Sequence, residues 1–280
     1  MAVPSPEVAI TRPPWTALVV ILLSVSSAAH AAPADTDSTH GATPADVQAH
    51  PPVPHLVTRR DLVFIGGSAA VTAVVMANDA WLTDKLQGTA DTPGLSDLAK
   101  IAQPLGNPLV VLPVSFGLWQ LAAHTGHPHV ARRAFRVGAA ATVAGVFTTG
   151  LKATVGRWRP EESPDDPYRF DPFSGHASFP SGHATIAFAA AVALDRETTA
   201  GWVPWVVYPA ASLVAWSRVH DLKHWSSDVI AGAAVGGWTA WKTEDFLAHR
   251  ALGVHPEHRT SFQLVPSSDG LRLVAVHHFE

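Results

Sequence analysis

The chain of 280 residues carries 19 Lys plus Arg against 23 Asp plus Glu, a formal net charge of −4, and only 15% of it is charged. Ordinary soluble domains hold about 25%, so the composition excludes a disordered chain and a basic nucleic-acid binder, both of which need charge. The absence of cysteine excludes disulfide scaffolds, Cys-ligated zinc and thiol catalysis, while the length suffices for one sizeable core or several membrane helices.

The N-terminus reads as an export signal. Arg12 precedes an apolar run from Trp15 to Val25, and Ala29-His30-Ala31 is an A-x-A cleavage pattern. Residues 1–31 are therefore expected to be a signal peptide, with a retained signal anchor as the alternative. Residues 32–58, rich in Ala, Pro, Asp and Thr, are expected to be a flexible linker.

The body, 59–250, is expected to be a helical domain. Uncharged runs cover 62–78, 101–131, 137–151, 184–194, 198–217 and 229–241, and they are too long and too poorly alternating for strands. They predict an all-α bundle of about six helices. Only 101–131 and 198–217 reach the roughly 20 residues of a membrane span, and the first contains Pro104, Pro108, Pro113 and Pro128. Arg59, Arg60, Arg132, Arg133, Arg136, Arg196 and the 242–250 segment would share one side of a six-span bundle, the cytoplasmic side by the positive-inside rule. A cleaved signal would instead start the body outside. The two indications disagree, and membrane residence is the expectation carried forward. Trp202, Trp205, Trp238 and Trp241 suit interfacial anchoring or core packing equally. In the tail, 251–280, two β-prone stretches flank Pro266 to Gly270 and predict a short hairpin.

Three segments of the body carry chemistry. Lys152 and Arg159 lie seven apart, two helical turns, so both can project from one helix face before Pro160 discourages continuation. Phe179-Pro180-Ser181-Gly182-His183 opens an apolar run, offering a cap hydroxyl and free backbone N–H groups for an anion, with His183 beside it as a proton donor. In Ser217 to Asp228, His224 and Asp228 are four apart, so on a helix the carboxylate could orient the imidazole, and Arg218 offers a planar fork for phosphate. Each segment has a bland reading: a basic membrane-flanking end, an ordinary helix cap, a surface salt-bridge cluster. Together they supply cations for phosphoryl oxygens, a nucleophile and an acid, as metal-free phosphoryl transfer requires.

These segments resemble the motifs of the type 2 phosphatidic acid phosphatase (PAP2) superfamily, which includes bacterial class A acid phosphatases and vanadium haloperoxidases. The family pattern K-x6-R-P, P-S-G-H and S-R-x5-H-x3-D is complete at Lys152 to Pro160, Pro180 to His183 and Ser217 to Asp228. The resemblance implies a helical bundle with its site at one end, facing the periplasm in membrane members. It implies His224 as the nucleophile of a phosphohistidine intermediate, Asp228 orienting it, and His183 protonating the leaving group. Lys152, Arg159, Ser181, Gly182 and Arg218 would hold the phosphoryl oxygens, with no metal or cofactor.

The expected activity is hydrolysis of a phosphate monoester or diphosphate, on a lipid such as phosphatidic acid, phosphatidylglycerol phosphate, undecaprenyl diphosphate or lipid A, in the bacterial cell envelope. The alternative is a soluble periplasmic acid phosphatase of broad specificity; a haloperoxidase is more distant. A different class is a zinc-dependent hydrolase or metal-binding protein, because His220, His224 and Asp228 have helical ligand spacing. That reading leaves Lys152, Arg159 and Arg218 unexplained. His176, in the loop with Asp165, Asp166, Tyr168 and Arg169, reads as a loop residue at the substrate entrance. His220, Asp221 and Lys223 read as rim residues.

Overall fold

A computed structural model describes residues 57–87, 94–251, 258–267 and 270–279. The expected export signal and most of the expected linker lie outside these residues. Among the described residues there are eight α-helices: α1 (Arg59–Met76), α2 (Asp79–Gln87), α3 (Leu95–Ala102), α4 (Pro108–His124), α5 (Pro128–Val155), α6 (Gly182–Arg196), α7 (Pro204–His220) and α8 (Ser226–Ala251). A 3-10 turn, Gln103–Gly106, separates α3 from α4.

The excess over six comes from two breaks, one at the end of the uncharged run 62–78 and one inside the run 101–131. α1 and α2 meet at 67°, and α3 with its 3-10 turn meets α4 at 54°; each bent pair taken as one unit leaves six. The second break has a local cause. Asn107 adopts an extended backbone and its side chain accepts the Leu109 N–H at 3.0 Å, while Pro108 occupies the first helical turn, so a new helix starts inside an apolar run. α1 starts on a capping box, with the Asp61 carboxylate accepting the Thr58 N–H at 2.6 Å and the Thr58 hydroxyl accepting the Asp61 N–H at 3.3 Å.

Nine of the fifteen residues of α6 are buried, and α5, α7 and α8 pack around it. This Ala-rich helix lets its neighbours approach closely. α1, α4 and α5 carry apolar side chains on the outside instead: Leu62, Val63 and Val74; Leu109, Val114 and Leu121; Val143, Val146 and Phe147 are all exposed. So large an apolar exterior is abnormal for a protein facing water. Among the described residues one helix, α5, is long and apolar enough to cross a membrane, or three elements if each bent pair counts as a span. This differs from the two runs singled out in the sequence. Run 101–131 is broken at Gly106–Pro108, and α7 keeps only 17 residues.

The two ends of the bundle differ in character. At one end, Arg136 pairs with Glu197 at 3.1 Å and Glu244 at 2.6 Å, Arg196 with Asp245 at 2.6 Å, and Lys242 with Asp61 at 2.5 Å. Trp238 also belongs here, donating its indole N–H to Asp61 at 3.0 Å. Trp241 lies under the Arg196 guanidinium. Of the four candidate anchors, Trp202 and Trp205 are the exposed ones. At the other end come together the C-terminus of α5, the N-terminus of α6, the α7–α8 turn and the long α5–α6 loop. Past α8, backbone segments β1 (His258–Ser267) and β2 (Gly270–Phe279) pair antiparallel with Ser267 opposite Gly270.

Candidate active site

α5 stops at Gly156, which adopts φ +59°; a Cβ there would meet the Asp171 carbonyl oxygen at 1.9 Å, so only glycine fits. The helix therefore ends before Arg159. Lys152 stays on its last turn and Arg159 lies in the loop beyond, so the two do not share a helix face as their spacing suggested. Lys152 donates its ammonium to the Ala177 carbonyl, and its Cε lies 3.6 Å from where a Gly182 side chain would begin. Lys152 is thus folded over the N-terminus of α6. Arg159 Nη1 reaches Glu161 at 3.5 Å, and Glu161 also pairs with Lys223 at 2.5 Å.

Ser181 is the N-cap of α6 but does not cap it through its side chain. Its carbonyl accepts the Thr185 N–H, its N–H donates to the Asp228 carbonyl at 2.9 Å, and its fully buried hydroxyl has no partner in the protein. Arg218, on the last turn of α7, is buried; its Nη1 lies 3.7 Å from Asp221, and its Nε is likewise unpartnered. A buried donor without an acceptor costs roughly 1–3 kcal/mol, a cost that an anion's oxygens would remove.

His224 precedes α8 in the turn, and Asp228 lies in the first turn of that helix, so the pair is not on a continuous helix. His224 Nδ1 still lies 3.6 Å from Asp228 Oδ2. That is an ion-pair distance rather than a hydrogen bond, and Nδ1 has no other partner. With Nδ1 on the carboxylate side, Nε2 is the nitrogen left to react. Burial pushes His224 down to about 4, against the opposing pull of Asp228 and with help from Lys152 and Arg218. His183 also falls to about 4, first through burial and then through Arg218, His224, Lys152 and Arg159. Both imidazoles are therefore neutral at neutral pH. The Asp228 carboxyl is opposed by its burial, yet His224, Arg157 and Ser178 hold it below the usual carboxylate range.

Arg157, Asp79, Ser178 and Ser227 were not recognised in the sequence. Arg157 is completely buried between the rings of Phe170 and Trp225. Its Nη1 donates to Asp228 Oδ1 at 2.7 Å and Ser227 Oγ at 2.7 Å. Its Nη2 donates to Asp79 Oδ2 at 2.8 Å and the Pro167 carbonyl at 2.6 Å. Ser178 Oγ and the Trp225 N–H donate to the other Asp228 oxygen, at 2.5 and 2.9 Å. Arg157 sits between two recognised cations, the one available signal; Asp79 has no motif around it.

The residues expected at the rim have partners of their own, and His220 is buried. His176 stacks on Trp158 at 3.6 Å between ring centres and faces Glu162 at 3.3 Å, with Arg169 over the other side of Trp158. His220 pairs with Asp221 at 3.0 Å, which also accepts from Gln103 at 2.5 Å. The spacing that suggested zinc is not helical, because residues 221–225 form a turn between α7 and α8. His220, His224 and Asp228 make no metal-binding group among the described residues.

Residues 133–249 match the family model described as the PAP2 superfamily. This stretch resembles a PAP2 domain. The PAP2 match takes in all three motif segments and every helix around α6 from α5 to α8. The chain is 39% identical over 101 residues to a lipid A 1-phosphatase of Rhizobium etli, covering 34% of this chain and 41% of that protein. It is 36% identical over 91 residues to an undecaprenyl-diphosphatase of Sulfolobus acidocaldarius, covering 32% of this chain and 43% of that protein. The chain thus spans about two fifths of the length of these relatives. The fold is similar to that of a transmembrane PAP2-type phosphatidylglycerolphosphate phosphatase from Bacillus subtilis, with a TM-score of 0.50 and 21% identity over 67% of this chain and 94% of that one.

Proposed function

We propose that the protein is a metal-independent phosphatase that hydrolyses phosphate monoester or diphosphate groups of membrane lipids through a phosphohistidine. The observation that carries this reading is the pair of neutral imidazoles, buried His224 backed by Asp228 and half-buried His183, beside the unpartnered Ser181 hydroxyl and Arg218 Nε. Lys152, Arg159, Ser181, the Gly182 N–H and Arg218 would bind the three non-bridging oxygens, on which charge spreads in the transition state.

His224 Nε2 attacks phosphorus, forming an N–P bond as the P–O bond to the leaving group breaks. The Asp228 carboxylate stabilises the positive imidazole that results. His183 protonates the departing oxygen and then takes a proton from water, whose oxygen attacks phosphorus and returns His224 as the leaving group. In the empty site His183 is neutral above about pH 4. A bound phosphate dianion opposes the surrounding cations and raises its affinity for a proton, so substrate binding itself loads the acid.

A lipid substrate is supported by the apolar exterior of α1, α4 and α5 and by relatives named for lipid A 1-phosphate and undecaprenyl diphosphate. The same reading places residues 1–31 as an export signal or anchor, 59–250 as the catalytic domain with its site on the periplasmic face, and 251–280 as an appended tail with a hairpin. Purified protein in mild detergent, with chelator present, tests it through phosphate release from phosphatidic acid, undecaprenyl diphosphate and an aryl phosphate. Lipid-preferring release that disappears in His224→Ala supports the reading. Activity on the aryl phosphate alone would favour a broad-specificity acid phosphatase, and full activity of His224→Ala would overturn the mechanism.

A further inference from the structure

We propose that Asp79 and Arg157 are positioning residues of this reaction centre: Asp79 neutralises Arg157, so that Arg157 fixes Asp228 in place without cancelling the negative field Asp228 exerts on His224. The proposal rests on the phosphatase reading and adds to it two residues that no motif includes.

The geometry is that of a relay. Asp79, Arg157 and Asp228 are all fully buried, and the guanidinium divides its two terminal nitrogens between the two carboxylates, at 2.8 and 2.7 Å. Ser227 bridges them a second time, accepting from Arg157 at 2.7 Å and donating to Asp79 at 2.5 Å, while its N–H donates to the other Asp79 oxygen at 2.9 Å. A single guanidinium on Asp228 alone would leave a neutral pair behind the imidazole. Burial raises the affinity of Asp79 for a proton, while Ser227 and Arg157 oppose that shift; ionised against the guanidinium, this second carboxylate makes the triad net negative, and the surplus charge is seated beside a histidine that must become positive when phosphorylated. Removing Asp79 therefore leaves Arg157 to cancel the charge of Asp228 in a low-dielectric interior, where such a change is felt strongly.

Other charged and titratable groups also face His224: Lys152 from α5, His183 from α6 and Arg218 from α7, with Asp228 from α8. All but Asp228 oppose protonation of the imidazole, so among the described residues Asp228 is its only favourable partner and its effective charge matters most.

The test uses opposite charge changes at the two positions. His224 is titrated by NMR in ring-labelled full-length protein in detergent, and the acid limb and plateau of kcat are recorded for the same samples. Asp79→Asn, nearly isosteric, is expected to move the His224 midpoint downward. It should also lower kcat on the order of 10–100-fold, the range known for partners that orient metal-ligating histidines, with KM little changed. Arg157→Met is expected to move the midpoint upward, and the double variant to return it toward wild type. Mere structural damage would move both single variants the same way or lower the folded fraction without a shift. Shifts in one common direction, or none, overturn the proposal. Should Arg157→Met not fold, Asp79→Asn decides alone. Because the titration needs no turnover, opposite shifts in a protein that releases no phosphate would uphold the relay and refute the phosphatase reading.

Discussion

Gly232 and Gly236 face α6 from α8, and a methyl group at either would strike backbone. A Cβ on Gly232 would lie 2.5 Å from the Ser181 carbonyl oxygen; on Gly236 it would lie 2.2 Å from that of Thr185. Ordinary contact begins near 3.4 Å, so Gly232→Ala must part the two helices there by about 0.9 Å. The displacement falls on the junction where the Ser181 N–H donates to the Asp228 carbonyl, joining the proposed phosphate cradle to the residue proposed to orient the nucleophile. A misplacement of about 1 Å at reacting groups costs on the order of 100-fold in rate, and overpacking of this kind costs about 1–3 kcal/mol of stability. Gly237→Ala is the control, since its Cβ would meet nothing nearer than 4.0 Å. Steady-state kcat in detergent, with thermal unfolding to show that the variants are folded, reads both effects. A Gly232→Ala protein that keeps wild-type kcat would show that the α6–α8 contact does not set the geometry of the site.

Other outcomes follow from the same geometry. His183→Ala should slow turnover most for alkyl phosphates and least for aryl phosphates, whose leaving groups need little protonation; equal losses on both would remove His183 from the role of acid. Inorganic phosphate should raise the NMR titration midpoint of His183 from about 4, whereas an unchanged midpoint would mean that no anion binds beside it. The folded midpoint of His224, about 4, lies below the ordinary 6.5, so the unfolded chain binds more protons between those values. Stability should therefore fall as pH drops from about 6.5 to 4, by about 3 kcal/mol from this residue. Denaturant melts that are flat across that window would contradict a buried neutral imidazole.

The site was legible where its chemistry is local. The segments around Lys152, Ser181 and Arg218 each hold several functional groups within a dozen residues, and the structure brings all of them to one end of the bundle. The inferred local geometry was less reliable. Spacing of seven and four suggested helical faces for Lys152 with Arg159 and for His224 with Asp228. Gly156 and the 221–225 turn interrupt both helices, and the side chains meet through the loops instead. The break before α4 was hidden for a related reason, since Asn107 sits inside an uncharged run that hydropathy reads as continuous. Asp79 could not have been found this way, because its partner Ser227 is 148 residues distant.

That same separation orders events as the chain is made. Asp79 and Arg157 are synthesised before α8, so the guanidinium cannot acquire its second carboxylate until the last long helix docks against the first bent pair. Until then Asp228 has not reached its donors, and His224 lacks the charge behind it. On the proposed phosphatase reading, a partly assembled chain would thus be inert toward phosphate esters, and hydrolysis would switch on only with closure of the bundle.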